Sequence, residues 1–336
     1  MYLACARPPK TRRPEIIKGL FREGQIVTLS GSLNVGKTPI IKDWAVAIAS
    51  GRPWCGLPTF QRPVVILDFE SDDCQFEENL SLIVRREKLW QTPLPIYPLL
   101  MQGGVDDPGT EVVERLLTLK KPEERFDWIA DLLRRYPNCL FIVDPVQMVF
   151  NFDKNKSEQV ITLYSRFRKF KKEFPTTTFL FVFNLRKRDP SVPTPPLLTE
   201  PDRWLLDVAG SVDLNARGDT RLGLDFLDAK ERAQIVLNGL RRGERMEPLV
   251  LESCIIGENA KGEPLEAGFV ATEHGREDLT VSLSPRKLEA FQEAADEFDL
   301  AYLETRMARS TAYQMRARLK AMGLVEVLED GRMKKR

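Results

Sequence analysis

The sequence predicts an α/β fold: a mainly parallel central sheet covered by helices, followed by a small C-terminal module of helices and a hairpin. Three observations lead there. CLFIVD (139–144) and TFLFVF (178–183) are continuous apolar runs of strand length flanked by helices, as strands buried on both faces require. A glycine loop, Gly31 to Thr38 (GSLNVGKT), stands between the β-branched run QIVTLS (25–30) and the apolar helix TPIIKDWAVAIAS (38–50). Beyond residue 283 the pattern turns to amphipathic stretches that end on Asp330-Gly331, a hairpin dipeptide.

Taken in order, residues 1–13 read as a basic, frayed arm. PVVILDF (63–69) is the next strand after the glycine loop, and FEENLSLIVRRE (76–87) and FDWIADLLRRY (126–136) have helical spacing. TRLGLDF (220–226), AQIVL (233–237) and PLVLES (248–253) are less continuously apolar, which suits an antiparallel extension of the sheet. Residues 186–203 hold five prolines directly after a buried strand, and a loop of that length is functional or disordered. The main domain is therefore expected over 14–256, with a Gly- and Glu-rich linker over 257–283. The module at 284–336 opens with Ser-Pro before a helix to residue 298, and LAYLETRMA forms a second helix. Ser310 caps a third, whose stripe is Ala312, Met315, Leu319 and Met322 and whose stop is Gly323. Three helices and a hairpin make the order of a winged helix-turn-helix domain.

Composition excludes several classes. A formal net charge of +1 over 336 residues means that any nucleic-acid footprint is local. There is no apolar run of bilayer length, and the basic N-terminus lacks the apolar core of a secretory signal. The five cysteines are scattered without CxxC spacing, which argues against a structural zinc or a disulfide framework. A cytoplasmic protein with no membrane partner is expected. The single histidine, His274, lies in a polar stretch and reads as a loop residue.

The chemistry centres on GxxxxGK[ST] with a strand before it and a helix after it. Backbone N–H groups of Gly31, Ser32, Leu33, Asn34, Val35, Gly36, Lys37 and Thr38 would wrap phosphates, aided by the dipole of the helix they open. Lys37 would reach the β- and γ-phosphates of ATP, and the Thr38 hydroxyl would ligate Mg2+. Pro39 is tolerated because the first helical turn has no use for its missing N–H. An acidic residue ending a neighbouring buried strand is needed for the metal, and Asp144 ends CLFIV. Hydrolysis needs a group to orient or deprotonate water, and PVVILDFES offers Asp68 and Glu70. Strand periodicity puts the two on one face and does not choose between them. Glu70 is preferred for its longer reach and its place nearer the strand exit. Asn184 ends TFLFVF just before Arg186, Lys187 and Arg188, where an amide can sense the γ-phosphate and pass its state to the long loop.

At this point the sequence resembles the RecA-like P-loop NTPases, within them the RepA/DnaB-type hexameric helicase and KaiC-like group, over roughly residues 16–253. IIKGLFREGQIVTLSGSLNVGKT is similar to the opening of that family, and ASGRPWCG to its continuation. DFESDD resembles the strand end where the family carries its catalytic glutamate, which adds weight to Glu70. FIVDPVQMVF resembles the Walker B strand, FVFNLRKR the sensor segment, and AGSVDLNARGD an element ending at Asp219. NGLRRGE lies where ring helicases have a finger strand, which implies Arg242, with Arg241 in reserve, as an arginine finger. The sequence departs from the pattern at Asn34 for glycine, Asn184 for histidine or glutamine, and Leu240 for lysine.

The resemblance implies an ATP-hydrolysing, Mg2+-dependent DNA motor: a ring-forming homo-oligomer, expected as a hexamer, of the RepA-like replicative helicase or translocase type. Single-stranded DNA would pass a central channel lined by Lys154, Lys156, Arg186, Lys187 and Arg188. Duplex DNA or a partner protein would meet the C-terminal module at Arg316, Lys320, Lys334 and Lys335. The alternatives are a non-motor ATPase switch that loads or regulates a replication or transposition partner, and a winged-helix regulator with a nucleotide sensor.

Overall fold

The computed structural model describes residues 13–32, 34–102, 118–119, 121–150, 152–153, 155–185, 195–207, 212–228, 232, 234–258, 264–272, 293–306, 325–328 and 332–335. The chain divides into two units, Met1–Ala271 and Thr272–Arg336.

The first unit starts with a small antiparallel pair, β1 (Glu15–Ile17) and β2 (Phe21–Arg22). There follow β3 (Ile26–Gly31), α1 (Lys37–Ser50), β4 (Val64–Asp72), α2 (Asp73–Arg86), β5 (Ile96–Gln102) and α3 (Pro122–Arg135). Then come β6 (Leu140–Asp144), α4 (Val146–Phe150), α5 (Ser157–Glu173), β7 (Thr178–Asn184), α6 (Pro201–Trp204) and α7 (Val212–Ala216). The last strands are β8 (Thr220–Phe226), β9 (Gln234–Arg241), β10 (Glu244–Arg245), β11 (Leu249–Glu258) and β12 (Pro264–Ala271). They form a 10-stranded sheet in the order β12-β11-β9-β8-β3-β7-β6-β4-β5, with β10 beside β9.

The strands from β8 to β5 in that order run parallel. The apolar runs explain this directly. Leu140 and Ile142 of β6 pack with α1 on one face, while Phe141 and Val143 pack with α3 and α5 on the other. A strand covered by helices on both sides has no place for polar alternation. One expectation is corrected: β8 pairs parallel with β3, and the antiparallel extension starts only at β9. Its polar residues, Arg221 and Asp225, mimic the alternation of an antiparallel strand. β5 has no counterpart in the sequence expectation because Pro98 interrupts it; as the last strand in the sheet order it tolerates a missing N–H.

The stretch 257–283, expected as a linker, contains the whole of β12, which pairs with β11 from Glu258↔Pro264 to Leu251↔Ala271. The β11–β12 hairpin reaches the helix α1, and this is why α1 is buried all round from Ile40 to Ala49. The main chain of Phe269 joins both helices. Its N–H donates to Asp43 Oδ2 (3.1 Å) and its carbonyl accepts from Arg86 Nη1 of α2 (3.3 Å). Gly268 makes room for that arginine: a Cβ there would fall 1.5 Å from Arg86 Nη1, so a larger residue would have to push the guanidinium aside. None of the described helices is long and apolar enough to cross a membrane.

The second unit shows β13 (Glu297–Phe298), α8 (Leu300–Arg306), β14 (Val325–Val327) and β15 (Met333–Lys335), with the strands in the antiparallel order β13-β15-β14. Ala294, Phe298, Leu303, Val325 and Met333 are its buried apolar side chains among the described residues. The expected hairpin is β14–β15, and LAYLETR is the expected second helix. The helix expected to reach residue 298 instead ends in β13 over Glu297 and Phe298. Its start, the third helix with Arg316 and Lys320, and the turn at Asp330-Gly331 lie outside the described residues.

Candidate active site

β3 delivers Gly31 and α1 begins at Lys37, so the loop between them closes over the N-terminus of a buried helix. Two of its residues have left-handed backbone: Asn34 (φ 60) and Gly36 (φ 93). The departure at Asn34 thus keeps the needed conformation, since asparagine tolerates it better than other side chains. Leu33 lies outside the described residues. Gly31 has no room for a side chain: a Cβ would lie 2.9 Å from the Leu224 carbonyl and 2.8 Å from Val35 Cγ1. A Cβ on Gly36 would lie 3.6 Å from Phe269 Cζ, so the tip of this β12 side chain reaches the loop.

Lys37 turns its amine into the loop and donates to the carbonyls of Ser32 (2.8 Å) and Gly31 (3.2 Å). Burial lowers its pKa, against the opposing charges of Asp144 and Glu70. Thr38 Oγ1 donates to Asp144 Oδ2 at 2.9 Å, which brings the two expected metal ligands together. Asp144 is 3% exposed and stands opposite Asp68 in the β4–β6 register. Burial first, then the Asp68 carboxylate and Glu70, push its carboxyl up to about 7, while Thr38 and Lys37 pull it down. Hard oxygen donors beside a carboxylate in want of a positive charge fit Mg2+. No group of three or more His, Cys, Asp or Glu poised around a metal exists among the described residues.

The structure separates Asp68 from Glu70. Asp68 is buried, and its Oδ1 accepts the N–H groups of Glu70 and Ser71, each at 2.9 Å. Glu70 is exposed at the end of β4, close enough for its charge to act on Lys37 and Asp144. Asn184 pairs with Gly31 across β7 and β3, and the next N–H, of Leu185, donates to the Gly31 carbonyl (3.1 Å). Asp225 is a site residue that sequence reasoning missed: its Oδ1 accepts from Ser32 Oγ at 3.2 Å. The signal was present, an acidic residue near the end of an apolar strand, the same signal that marks Asp144.

Arg241 and Arg242 are not part of this cluster. Arg241 pairs with Thr220, which pairs with Val27, near the end of the sheet away from Gly31. Arg241 Nη1 forms an ion pair with Glu15 at 2.6 Å. Arg242 has a left-handed backbone (φ 53), and its N–H donates to the Asp219 carbonyl (3.1 Å). Both arginines line a cavity of about 620 Å³ with Arg13, Arg22 and Lys171. Of the expected nucleic-acid residues, Lys156 is exposed between α4 and α5, and Lys334 is exposed on β15. Lys335 is half-buried and donates to the Ala294 carbonyl (2.6 Å). Arg332 and Lys334 both pair with Glu297, at 2.9 and 3.9 Å. Lys154, Arg186, Lys187 and Arg188 lie outside the described residues, as do Arg316 and Lys320.

The chain is similar to a KaiC-like protein from Pyrococcus horikoshii, with 15% identity, a TM-score of 0.45, and coverage of 78% of this chain and 99% of that one. It is also similar to the flagellar accessory protein FlaH from Methanocaldococcus jannaschii, with 11% identity, a TM-score of 0.42, and coverage of 74% and 90%. No curated protein matches the sequence. The model of the AAA domain family matches residues 4–189, a span that includes both the glycine loop and the strand ending at Asp144. A match over more than half of the sequence decides the assignment: the chain belongs to the AAA domain family and is a P-loop ATPase.

Proposed function

We propose that this ATPase is a DNA motor, a ring-forming RepA-like helicase or translocase that hydrolyses ATP between neighbouring copies of the chain. The position of Arg242 carries the reading. By register and strand spacing its main chain stands on the order of 15–20 Å from Gly31. No arginine side chain spans that distance, so an arginine finger at this position serves the nucleotide of another copy. Head-to-tail contacts of this kind close into rings where the rotation between copies closes and into filaments where it does not, and the motor reading takes the ring.

Within one copy, Lys37 would neutralise the β- and γ-phosphates, and Thr38 and Asp144 would hold Mg2+, which would screen charge on the phosphate oxygens. Glu70 takes the proton of the attacking water, and Asn184, beside Gly31, senses the γ-phosphate. β6 and β7 run parallel to β3, so the segments following them leave the sheet at the phosphate-loop end. Those segments carry Lys154, Lys156, Arg186, Lys187 and Arg188, a set suited to tracking the backbone of single-stranded DNA. The pairing of Arg332 and Lys334 with Glu297 favours a second reading of the C-terminal module, as a dock for a partner protein in a non-motor switch. A strand-displacement assay with and without ATP, together with particle size with and without ATP and single-stranded DNA, decides between them. Unwinding by an ATP-dependent ring supports the motor, and a persistent monomer without unwinding overturns it.

A further inference from the structure

β8 lies beside β3, with Leu224 level with Gly31, so Asp225 comes level with Ser32 one step further on. Its carboxylate is shared. Oδ1 accepts from Ser32 Oγ (3.2 Å) and from the N–H of Phe226 (3.1 Å), and Oδ2 accepts from Trp204 Nε1 (2.7 Å). Trp204 is fully buried, in a seat that Gly223 leaves open: a Cβ there would lie 2.6 Å from Trp204 Cζ3 and 2.7 Å from Leu197 Cδ1. The buried amide of Asn238, on β9, donates to the carbonyls of Leu197 (3.0 Å) and Leu198 (3.1 Å). The segment from Leu197 to Trp204 is therefore fastened to β8 and β9 at separate points. It is the far end of the proline-rich stretch that follows β7. The near end, Leu185, donates to the Gly31 carbonyl. Both ends of that stretch thus bear on the first two residues of the phosphate loop, the same two whose carbonyls accept from Lys37.

We propose that Asp225 is a positioning residue for the phosphate loop, and that Trp204, Asp225 and Ser32 form a chain through which nucleotide binding is felt at the end of the proline-rich stretch. The proposal rests on the reading of Gly31–Thr38 as the ATP site. A carboxylate accepts both the hydroxyl and the indole N–H, and bonds to an ionised acceptor are the stronger kind. Ser32 is thereby fixed before the ligand arrives, which is the condition for loop N–H groups to converge on phosphate without a reorganisation cost. Asparagine is a poor replacement: it carries no charge, and whichever way it turns, its NH₂ faces either Trp204 Nε1 or the main-chain N–H of Phe226, both of which can only donate. The coupling is reciprocal: what moves Ser32 is felt at Trp204, and what moves Trp204 changes ATP affinity.

The test uses the full chain with Ser32→Ala, Ser32→Thr, Asp225→Asn, their Ser32→Ala/Asp225→Asn combination, Trp204→Phe and Lys37→Ala. ATP affinity is measured by titration, and the Trp204 signal is the part of the ATP-induced fluorescence change that Trp204→Phe removes. Ser32→Ala and Asp225→Asn should each weaken ATP binding about tenfold, the size of one lost charge-assisted hydrogen bond. The combination should be no worse than either alone, because both break one link. Ser32→Thr, which keeps a hydroxyl, should restore the affinity that Ser32→Ala loses, and Ser32→Ala should abolish the Trp204 signal. Wild-type affinity with an undiminished Trp204 signal in Ser32→Ala overturns the proposal, as does an additive loss in the combination. If Asp225→Asn fails to fold, Ser32→Ala alone decides, since it alters only a half-buried loop side chain. Lys37→Ala tells the two failures apart. Normal ATP binding in that variant sinks the ATP site itself; lost binding there with Ser32→Ala unaffected sinks only the chain to Trp204.

Discussion

The main-chain N–H of Phe269 donates to the Asp43 carboxylate across 3.1 Å, and this bond ties the β11–β12 hairpin to the helix that opens at the phosphate loop. Asp43 is 1% exposed and also accepts from Trp54 Nε1 (3.1 Å) and Arg86 Nη2 (2.7 Å). Burial raises its pKa while Arg86 lowers it, so the arginine is what keeps a charge tolerable there. Arg86→Ala should therefore cost about 3–5 kcal/mol, the penalty for leaving a buried charge without its partner. Arg86→Met with Asp43→Asn should recover most of that loss, because the uncompensated charge is gone. Denaturant titration checks both, and a loss well under 1 kcal/mol in Arg86→Ala would show that Asp43 is held neutral.

Asp144 gives a pH-dependent prediction. Its carboxyl is pushed up from 3.8 to about 7, so without Mg2+ the native state holds a proton that the unfolded chain has released. Stability from this group is present at low pH and is lost as pH rises through about 7. In the presence of a chelator, Asp144→Asn should therefore be more stable than the wild type, by a margin that widens from pH 5 to 7 and then levels off. In Mg2+ and ATP the order should reverse, because the wild type regains its cation and the variant does not. Thermal melts across pH with and without Mg2+ test this, and a margin independent of pH would contradict it.

The sheet centre and the phosphate loop were legible in the sequence because they follow from local rules. Leu140 to Val143 is apolar on both faces because helices cover both, and GSLNVGKT carries its own geometry. What stayed hidden depends on contacts distant in sequence. β12 looks like linker because Leu265 and Val270 stay exposed and only Phe269 of its large apolar side chains is buried, while its main chain bonds to a helix more than 200 positions earlier. β8 looks antiparallel because Asp225 breaks its apolar run, yet that residue faces Ser32. Helix α5 was within reach: Val160, Leu163, Tyr164, Phe167 and Phe170 keep helical spacing beneath a heavily charged outer face.

Lys37 and Glu70 should separate binding from chemistry. Lys37→Ala should lose hydrolysis and weaken ATP binding, since the phosphates lose their main side-chain cation. Glu70→Gln should keep ATP binding while hydrolysis falls by about 10²–10⁴, the contribution of a positioned general base. Asp68 is buried and committed to two backbone N–H groups, so Asp68→Asn should disturb stability as well as rate. Equal ATP affinity with near-normal turnover in Glu70→Gln would move the role elsewhere.

Arg242 predicts complementation between copies. Alone, Arg242→Ala should lower hydrolysis by about 10³–10⁵, the range for an arginine finger. Mixing it with Lys37→Ala creates interfaces that join an intact phosphate loop to an intact finger, and hydrolysis should partly return. Oligomers without recovery at any mixing ratio would exclude a finger in trans.

The last prediction concerns where the chain can be cut. The sequence places a boundary at residue 256, whereas the structure carries the first unit to Ala271. The difference is β12, whose Phe269 side chain reaches Gly36 and whose main chain bonds to Asp43 and Arg86. A chain ending at 271 keeps these contacts and should hydrolyse ATP at the full-length rate. A chain ending at 256 leaves Asp43 without one donor, exposes the apolar side of α1, and should be destabilised or lose ATPase activity outright. The same 271 truncation removes Lys334 and Lys335, along with Arg316 and Lys320. If the C-terminal unit grips duplex DNA, salt-titrated binding should weaken and its log–log slope should flatten by about one unit per lost phosphate contact. If duplex binding and slope are unchanged at 271, the unit serves a partner protein, as the pairing of Arg332 and Lys334 with Glu297 favours. If the chain ending at 256 is as active as the one ending at 271, β12 has no part in supporting the phosphate loop.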